Sequence, residues 1–120
     1  MALAVIAEPP AQFRSWWDGQ LQAPPAPQSQ TVAAGEANFI TKCGICHSVR
    51  GTMAGGRLGP DLSHLMNRQT IAAGTLPNTP GYLSGWIADP QHIKPGNKMP
   101  ATNLRGDQLQ ALLAYLESLR

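Results

Sequence analysis

Both cysteines of this 120-residue chain lie within one five-residue segment, Cys43-Gly44-Ile45-Cys46-His47. The segment also contains one of the three histidines. Two thiols at this spacing can attach a cofactor, bind a metal or form a redox-active dithiol, so this segment restricts the chemistry of the chain more than any other. Three hypotheses follow: a covalent haem site, a zinc site and a dithiol.

The order Cys-x-x-Cys-His is typical of c-type haem attachment. Cys43 and Cys46 would form thioethers with the two vinyl groups of one haem, and His47 would bind the iron from the proximal side. The segment therefore predicts one covalent haem c together with its first axial ligand.

The two other hypotheses require residues or elements that the sequence does not supply. A zinc site needs four ligands, and beyond the segment only His64 and His92 are available, with no second paired motif. A thioredoxin-like dithiol expects a preceding strand and a βαβ pattern, whereas here a helical pattern is followed by loops. Haem is the favoured interpretation.

A sixth iron ligand of thioether type should come from a downstream loop, and three methionines compete for that role: Met53, Met66 and Met99. Met53 and Met66 follow His47 closely, on chain that must first pass around the proximal side. Met99 lies in a proline-bounded loop, "KPGNKMPAT", between two predicted helices. We therefore favour His47 and Met99 as the axial pair, although loop packing is the usual role of a methionine.

The chain divides into three zones. Residues 1–22 combine a strand-like start, with Val5 and Ile6, and a short helical candidate, "AQFRSWWDGQL". Residues 23–30 form a proline-rich linker, which should be extended and semi-rigid. Residues 31–120 read as helices joined by glycine- and proline-rich loops. These loops supply little apolar surface, so a domain of this size needs a staple or a large cofactor in its core. The predicted class is a small all-α domain.

Three helices are predicted within residues 31–120. Thr31 is the expected cap of the first, which runs to about Lys42. The second spans about Gly81 to Ala88, between two prolines. The last is the most clearly amphipathic, because its leucines recur at helical spacing in "DQLQALLAYLESLR".

Composition and charge exclude some classes of partner. No run approaches the roughly 20 apolar residues of a transmembrane helix. The formal charge of +2 is uneven, since the segment from Lys42 to Arg105 holds seven bases and two acids. A basic middle favours an acidic partner surface. No basic helix with interleaved aromatic residues is present, so a nucleic acid is not an expected partner.

The motifs resemble class I cytochromes c in their order along the chain. The haem segment is followed by Gly59-Pro60-Asp61-Leu62 and then by Lys98-Met99-Pro100. The resemblance covers Thr31 to Arg120 and implies a fold of three to five helices around the haem. The helix with Gly35 and Phe39 would cross the helix with Leu112 and Tyr115. The glycine would allow the two helices to approach closely, and the aromatic rings would fill the crossing.

The resemblance also implies residues around the haem. The Pro60 carbonyl would accept a hydrogen bond from His47 and fix its tautomer. Trp86 would lie near the ring, and Arg57 and Asn97 are candidate partners of the propionates. All three can equally be ordinary core or loop residues.

Residues 70–101 and the N-terminal segment are similar to the C-terminal haem domain of subunit II of caa3-type cytochrome c oxidases. In that interpretation residues 1–22 are the end of a cupredoxin-like copper domain, with Met1 standing at a copper-site position or at a start codon. Phe13, Trp16 and Trp17 would pack on that domain, cover the haem domain or remain partly exposed.

The implied function is electron relay, and the domain itself is a carrier, not a catalyst. Electrons would come from a donor cytochrome c or a quinol-oxidising complex and pass to the binuclear copper of the oxidase, on the periplasmic face of a bacterial membrane. Association with the membrane would come only through the full-length subunit and the other oxidase subunits. A free-standing soluble cytochrome c and a catalytic or ligand-sensing haem module stay open as alternatives.

Overall fold

The computed structural model describes residues 5–120, and helices supply most of its regular structure. The helices are α1 (Pro10–Gln20), α2 (Gln30–Lys42), α3 (Pro80–Ala88), α4 (Pro90–Ile93) and α5 (Gly106–Ser118). A 3-10 turn at Leu65–Asn67 precedes a short antiparallel hairpin of β1 (Thr70–Ile71) and β2 (Leu76–Pro77). The predicted all-α class is confirmed, whereas neither the hairpin nor the short helix α4 was predicted from the sequence.

The crossing of α2 and α5 forms the centre of the core. A Cβ atom added to Gly35 would lie 2.7 Å from the Cβ atom of Tyr115 and equally close to the Ala111 carbonyl carbon. The rings of Phe39 and Tyr115 meet beside this contact, with centroids 5.6 Å apart and planes inclined by 52°. The expected crossing of the terminal helices is therefore present, and its glycine lets the two backbones touch.

The first residue of α2 differs from the prediction. Ser29, not Thr31, is the N-cap, because its extended backbone lets the hydroxyl accept a hydrogen bond from the Val32 amide at 3.2 Å. At the other end of the core, α3 begins at Pro80, whose fixed φ suits the first turn of a helix.

The N-terminal zone packs on the main domain only at its end. Residues 5–9 have no regular structure, with Val5 and Ile6 exposed, and the rest of the strand-like start, including Met1, lies outside the described residues. The α1 helix forms where a helix was predicted. After it, the Leu21 carbonyl accepts a hydrogen bond from Arg50 and the Gln22 carbonyl accepts one from His64.

Within residues 5–120, α1 to α5 are all too short or too polar to cross a bilayer.

Candidate functional site

The Cys-x-x-Cys-His segment continues the last turn of α2. The Phe39 carbonyl accepts hydrogen bonds from the amides of both Cys43 and Gly44, each at 2.8 Å. The Cys43 carbonyl in turn accepts from the amides of Cys46, at 3.0 Å, and His47, at 2.9 Å. These bonds satisfy carbonyls at the helix end and fix the segment as one compact turn.

The following loop folds back onto this turn. The Gly59 amide donates to the Cys46 carbonyl at 2.7 Å, and the Gly56 amide donates to the Gly44 carbonyl at 3.0 Å. A Cβ atom on Gly56 would lie 2.6 Å from the Cys46 backbone nitrogen, so only glycine permits this approach. The loop thereby brings the Gly59-Pro60 pair to His47.

The His47 ring is held through one of its two nitrogens. Its Nδ1 lies 2.9 Å from the Pro60 carbonyl oxygen. Since a carbonyl can only accept, Nδ1 carries the proton, and a neutral imidazole then keeps its lone pair on Nε2. Gly59 packs against the same ring, because a Cβ atom there would come within 2.7 Å of Nδ1. This arrangement presents Nε2 as a metal-binding nitrogen.

Both cysteines are free thiols. Burial raises the pKa of Cys43 to about 11, so this thiol is protonated at neutral pH. A redox dithiol works through a thiolate of lowered pKa, and the pKa of Cys43 is shifted in the opposite direction. Within residues 5–120, no three side chains of the His, Cys, Asp and Glu types gather as a metal site. Cys43 and Cys46 do not pair as a disulfide, so both are available to form thioethers with a haem.

The three methionines have different surroundings. Met53 is 86% exposed. Met66 and Met99 are both partly buried against the core. The Met66 amide donates to the carbonyl of Leu119 at 2.9 Å, which ties this residue to the C-terminal end of the chain. Met99 instead lies in the irregular segment between α4 and α5.

Partly buried apolar side chains surround the main core and could line one face of a haem. Trp86, on α3, is among them. The partly buried leucines of this group are Leu62, Leu76, Leu104, Leu109 and Leu113. Free thiols, a histidine of fixed tautomer and a half-buried apolar lining together fit a covalent haem.

The loop that carries Met99 is held by two side-chain amides. Asn97 accepts a hydrogen bond from the Met99 amide at 2.8 Å, and its two amide hydrogens go to the carbonyls of Pro90 and Lys94. Gln91 donates to the carbonyls of Asn97 and Met99. No sequence signal pointed to Gln91, because its contacts depend on the fold of the loop.

The two candidate propionate partners differ in their surroundings. Arg57 is exposed on the loop that folds over the haem segment. Asn97 is partly buried, and its amide hydrogens are already donated to the carbonyls of Pro90 in α4 and Lys94 directly after it. The propionate contacts of both residues stay predictions.

Residues 32–120 match the family model described as Cytochrome c. This region begins in α2 and includes the haem segment, the Pro60 loop, the Met99 loop and α5.

Several curated proteins are similar to this chain. Cytochrome c oxidase subunit 2 of Alkalihalophilus pseudofirmus is 34% identical, covering 100% of this chain and 35% of its own length. The subunit of the same name from a Bacillus species is 36% identical, covering 93% of this chain and 33% of that protein. The chain thus spans about a third of the length of these relatives. Cytochrome c of Sesamum indicum is 36% identical over 80% of this chain and 93% of its own length.

One solved structure supports the fold. The c-type cytochrome SorU from Sinorhizobium meliloti aligns with a TM-score of 0.51 and 19% sequence identity, covering 74% of this chain and 90% of that structure.

Proposed function

The chain belongs to the cytochrome c family, and on that premise we propose that it transfers single electrons through one haem c attached to Cys43 and Cys46. The bound haem supplies the redox chemistry, through an iron that cycles between two oxidation states. The protein binds and orients the group and excludes water from it. The observation that carries this proposal is the hydrogen bond from His47 to Pro60, which prepares the ring to act as a ligand next to two free thiols.

The proposed axial ligands are His47 and Met99. Pro60 supports the first by fixing its tautomer. Support for Met99 comes from its partial burial against the core, in contrast to the exposure of Met53. Trp86 is proposed to pack near the haem, and Arg57 and Asn97 to lie near its propionates. With both axial positions filled, the site should bind external ligands slowly.

Mass and absorption spectra test this proposal. The purified protein should carry the mass of one haem that survives denaturation, and its oxidised form should show the weak red methionine-to-iron absorption band. Met99→Ala should abolish that band, lower the reduction potential and speed the binding of cyanide. Met53→Ala is the matched control and should change none of these. A Met99→Ala spectrum identical to that of the wild type would refute the ligand assignment.

We further propose that the chain is the haem domain of a cytochrome c oxidase subunit 2. The oxidase relatives align over the N-terminal zone as well as the cytochrome domain, whereas the Sesamum indicum protein covers less of the chain. In this proposal residues 1–22 are the end of a copper domain, residues 23–30 are a linker, and residues 31–120 are the cytochrome domain. The cytochrome domain receives electrons from a donor cytochrome c or a quinol-oxidising complex. The acceptor is the binuclear copper, on the periplasmic face of a membrane complex.

The aromatic face of α1 is the proposed contact with that copper domain. Its members are Phe13, Trp16 and Trp17, which are each about half exposed and pack on one another with ring centroids 5.7 to 6.4 Å apart. The contacts of Leu21 with Arg50 and of Gln22 with His64 hold the end of α1 against the cytochrome domain. A short anchored connection keeps donor and acceptor close, which raises their effective concentration.

The alternative is a free-standing cytochrome c. It is favoured by the match to the Sesamum indicum protein, which covers 93% of that protein's length. The gene sequence distinguishes the two proposals. An open reading frame that continues upstream into transmembrane segments and a Cys-x-x-x-Cys-x-x-x-His-x-x-Met copper motif supports the oxidase subunit. A stop codon directly upstream of Met1 supports the separate carrier.

A further inference from the structure

We propose that Gln91 is a positioning residue that holds Met99 at the haem, an inference that rests on the proposed ligation by Met99. Gln91 lies in the short helix α4. Its side-chain nitrogen donates hydrogen bonds to the Asn97 carbonyl at 2.8 Å and to the Met99 carbonyl at 3.0 Å. Its side-chain oxygen accepts from the Gly96 amide at 3.2 Å. One amide thus binds the loop at three points.

Asn97 completes the same arrangement from within the loop. Its oxygen accepts from the Met99 amide at 2.8 Å, while its nitrogen donates to the carbonyls of Pro90 at 2.8 Å and Lys94 at 2.7 Å. The backbone of Met99 is therefore bound on both sides, with its N–H held by Asn97 and its C=O held by Gln91. This pair of contacts fixes where the Met99 side chain leaves the backbone.

The loop needs such contacts because it has no regular structure of its own. Residues 94–105 contain no helix or strand, and Gly96 makes its turn with φ of +81°. Loops with few backbone hydrogen bonds open at low free energy, and opening of this loop would carry Met99 away from the haem. A thioether is uncharged, so no ionic attraction returns it to the iron. Gln91 consequently sets the fraction of molecules in which Met99 is in place.

Replacing Gln91 by leucine keeps the approximate size of the side chain and removes all three contacts. Each neutral hydrogen bond is worth about a factor of five in an equilibrium, so the loss of three should raise the open population by up to about 100-fold. Cyanide would bind the iron only in molecules whose Met99 has left it, so its binding rate should rise by the same factor.

The experiment compares haem-loaded wild type, Gln91→Leu, Gln91→Glu, Met99→Ala and Gln110→Leu. Gln110 is exposed on α5, so Gln110→Leu makes the same chemical change outside the loop. Gln91→Glu keeps an acceptor for the Gly96 amide but loses both donors to the carbonyls. The measurements are the cyanide-binding rate, the intensity of the red absorption band, and hydrogen exchange of the Gly96 and Met99 amides.

The expected result is faster cyanide binding and faster exchange of the Met99 amide in both Gln91 variants, with Gln110→Leu like the wild type. If both Gln91 variants match the wild type while Met99→Ala loses the band, the positioning role of Gln91 is refuted and the ligation stands. If Met99→Ala keeps the band, the ligation itself fails. Should Gln91→Leu not accumulate, Gln91→Glu alone decides between these outcomes.

Discussion

Gly35 lies directly against Ala111, with the backbone of α2 touching the backbone of α5. A Cβ atom on Gly35 would come within 2.7 Å of the Ala111 carbonyl carbon, far inside van der Waals contact. Because the haem segment continues the last turn of α2, this contact also sets the position of the site relative to α5.

Gly35→Ala should therefore destabilise the protein. The two helices must separate to admit a methyl group, and overpacking of this kind costs about 1 to 3 kcal/mol. Denaturant unfolding of the haem-loaded protein measures the loss. Gly106→Ala is the control in α5, where an added Cβ meets nothing within 4 Å. Equal stability of the two variants would show that α2 and α5 can move apart freely.

Gly59→Ala should disturb the ligand side of the haem. A Cβ atom at this position would lie 2.7 Å from Nδ1 of His47, so the ring must turn and its hydrogen bond to Pro60 must lengthen. The absorption and electron paramagnetic resonance spectra should then show weakened histidine ligation, although the haem stays covalently attached. Gly55→Ala, which has open space around its Cβ, should keep wild-type spectra. Unaltered spectra in Gly59→Ala would mean that the loop shifts without moving the ring.

At neutral pH, Tyr115→Phe should be as stable as the wild type or more stable. The Tyr115 hydroxyl is buried and has no hydrogen-bond partner within residues 5–120, so its removal relieves an unpaired polar group worth about 1 kcal/mol. A loss of stability in Tyr115→Phe would contradict this prediction and would indicate that the hydroxyl binds a group outside residues 5–120.

The same variant should change the behaviour at alkaline pH. Burial, assisted by the charge of Glu36, raises the pKa of Tyr115 to about 12 from its ordinary 10.0. The folded state therefore retains a proton that the unfolded state releases, and the wild type loses stability as the pH rises from 10 towards 12. Tyr115→Phe should lose less over this range, as measured by denaturant unfolding. Tyr82→Phe, at an exposed tyrosine, should follow the wild type.

Asp61→Asn should lower stability at neutral pH but not in acid. Burial alone would raise the pKa of Asp61, but hydrogen bonds from Ser63, including one from its amide at 2.7 Å, hold the pKa below the ordinary 3.8. Ionised Asp61 thus stabilises the folded state above pH 3.8, and this contribution is lost as the pH falls through the lower folded-state pKa. Urea unfolding at several pH values should show the variant and the wild type converging in acid. A constant difference would contradict this account. Asp18→Asn, on exposed α1, is the control.

The sequence alone predicts the chemistry of the site and the main helices. Cys43, Cys46 and His47 lie within five residues, so their proposed joint role follows from spacing without knowledge of the fold. The leucine spacing of α5 and the prolines around α3 likewise act locally, through periodicity and fixed backbone angles. Thr31 was wrongly predicted as the cap of α2, because Ser29 and Thr31 are both suitable residues and only the backbone conformation selects between them.

The tertiary structure decided what depends on contacts between distant segments. The hydrogen bond between His47 and the Pro60 carbonyl, across 13 residues, was expected from the family resemblance, but the loop hydrogen bonds that bring the two residues together are not specified by the sequence. Gln91 is one glutamine among several in the sequence, and it acquires a role only because the loop of Met99 folds back onto α4. Side-chain amides carry no pattern of their own, since their partners are backbone groups that every residue has. Local spacing thus determines which atoms are available for the chemistry, and the fold determines which groups hold them in place.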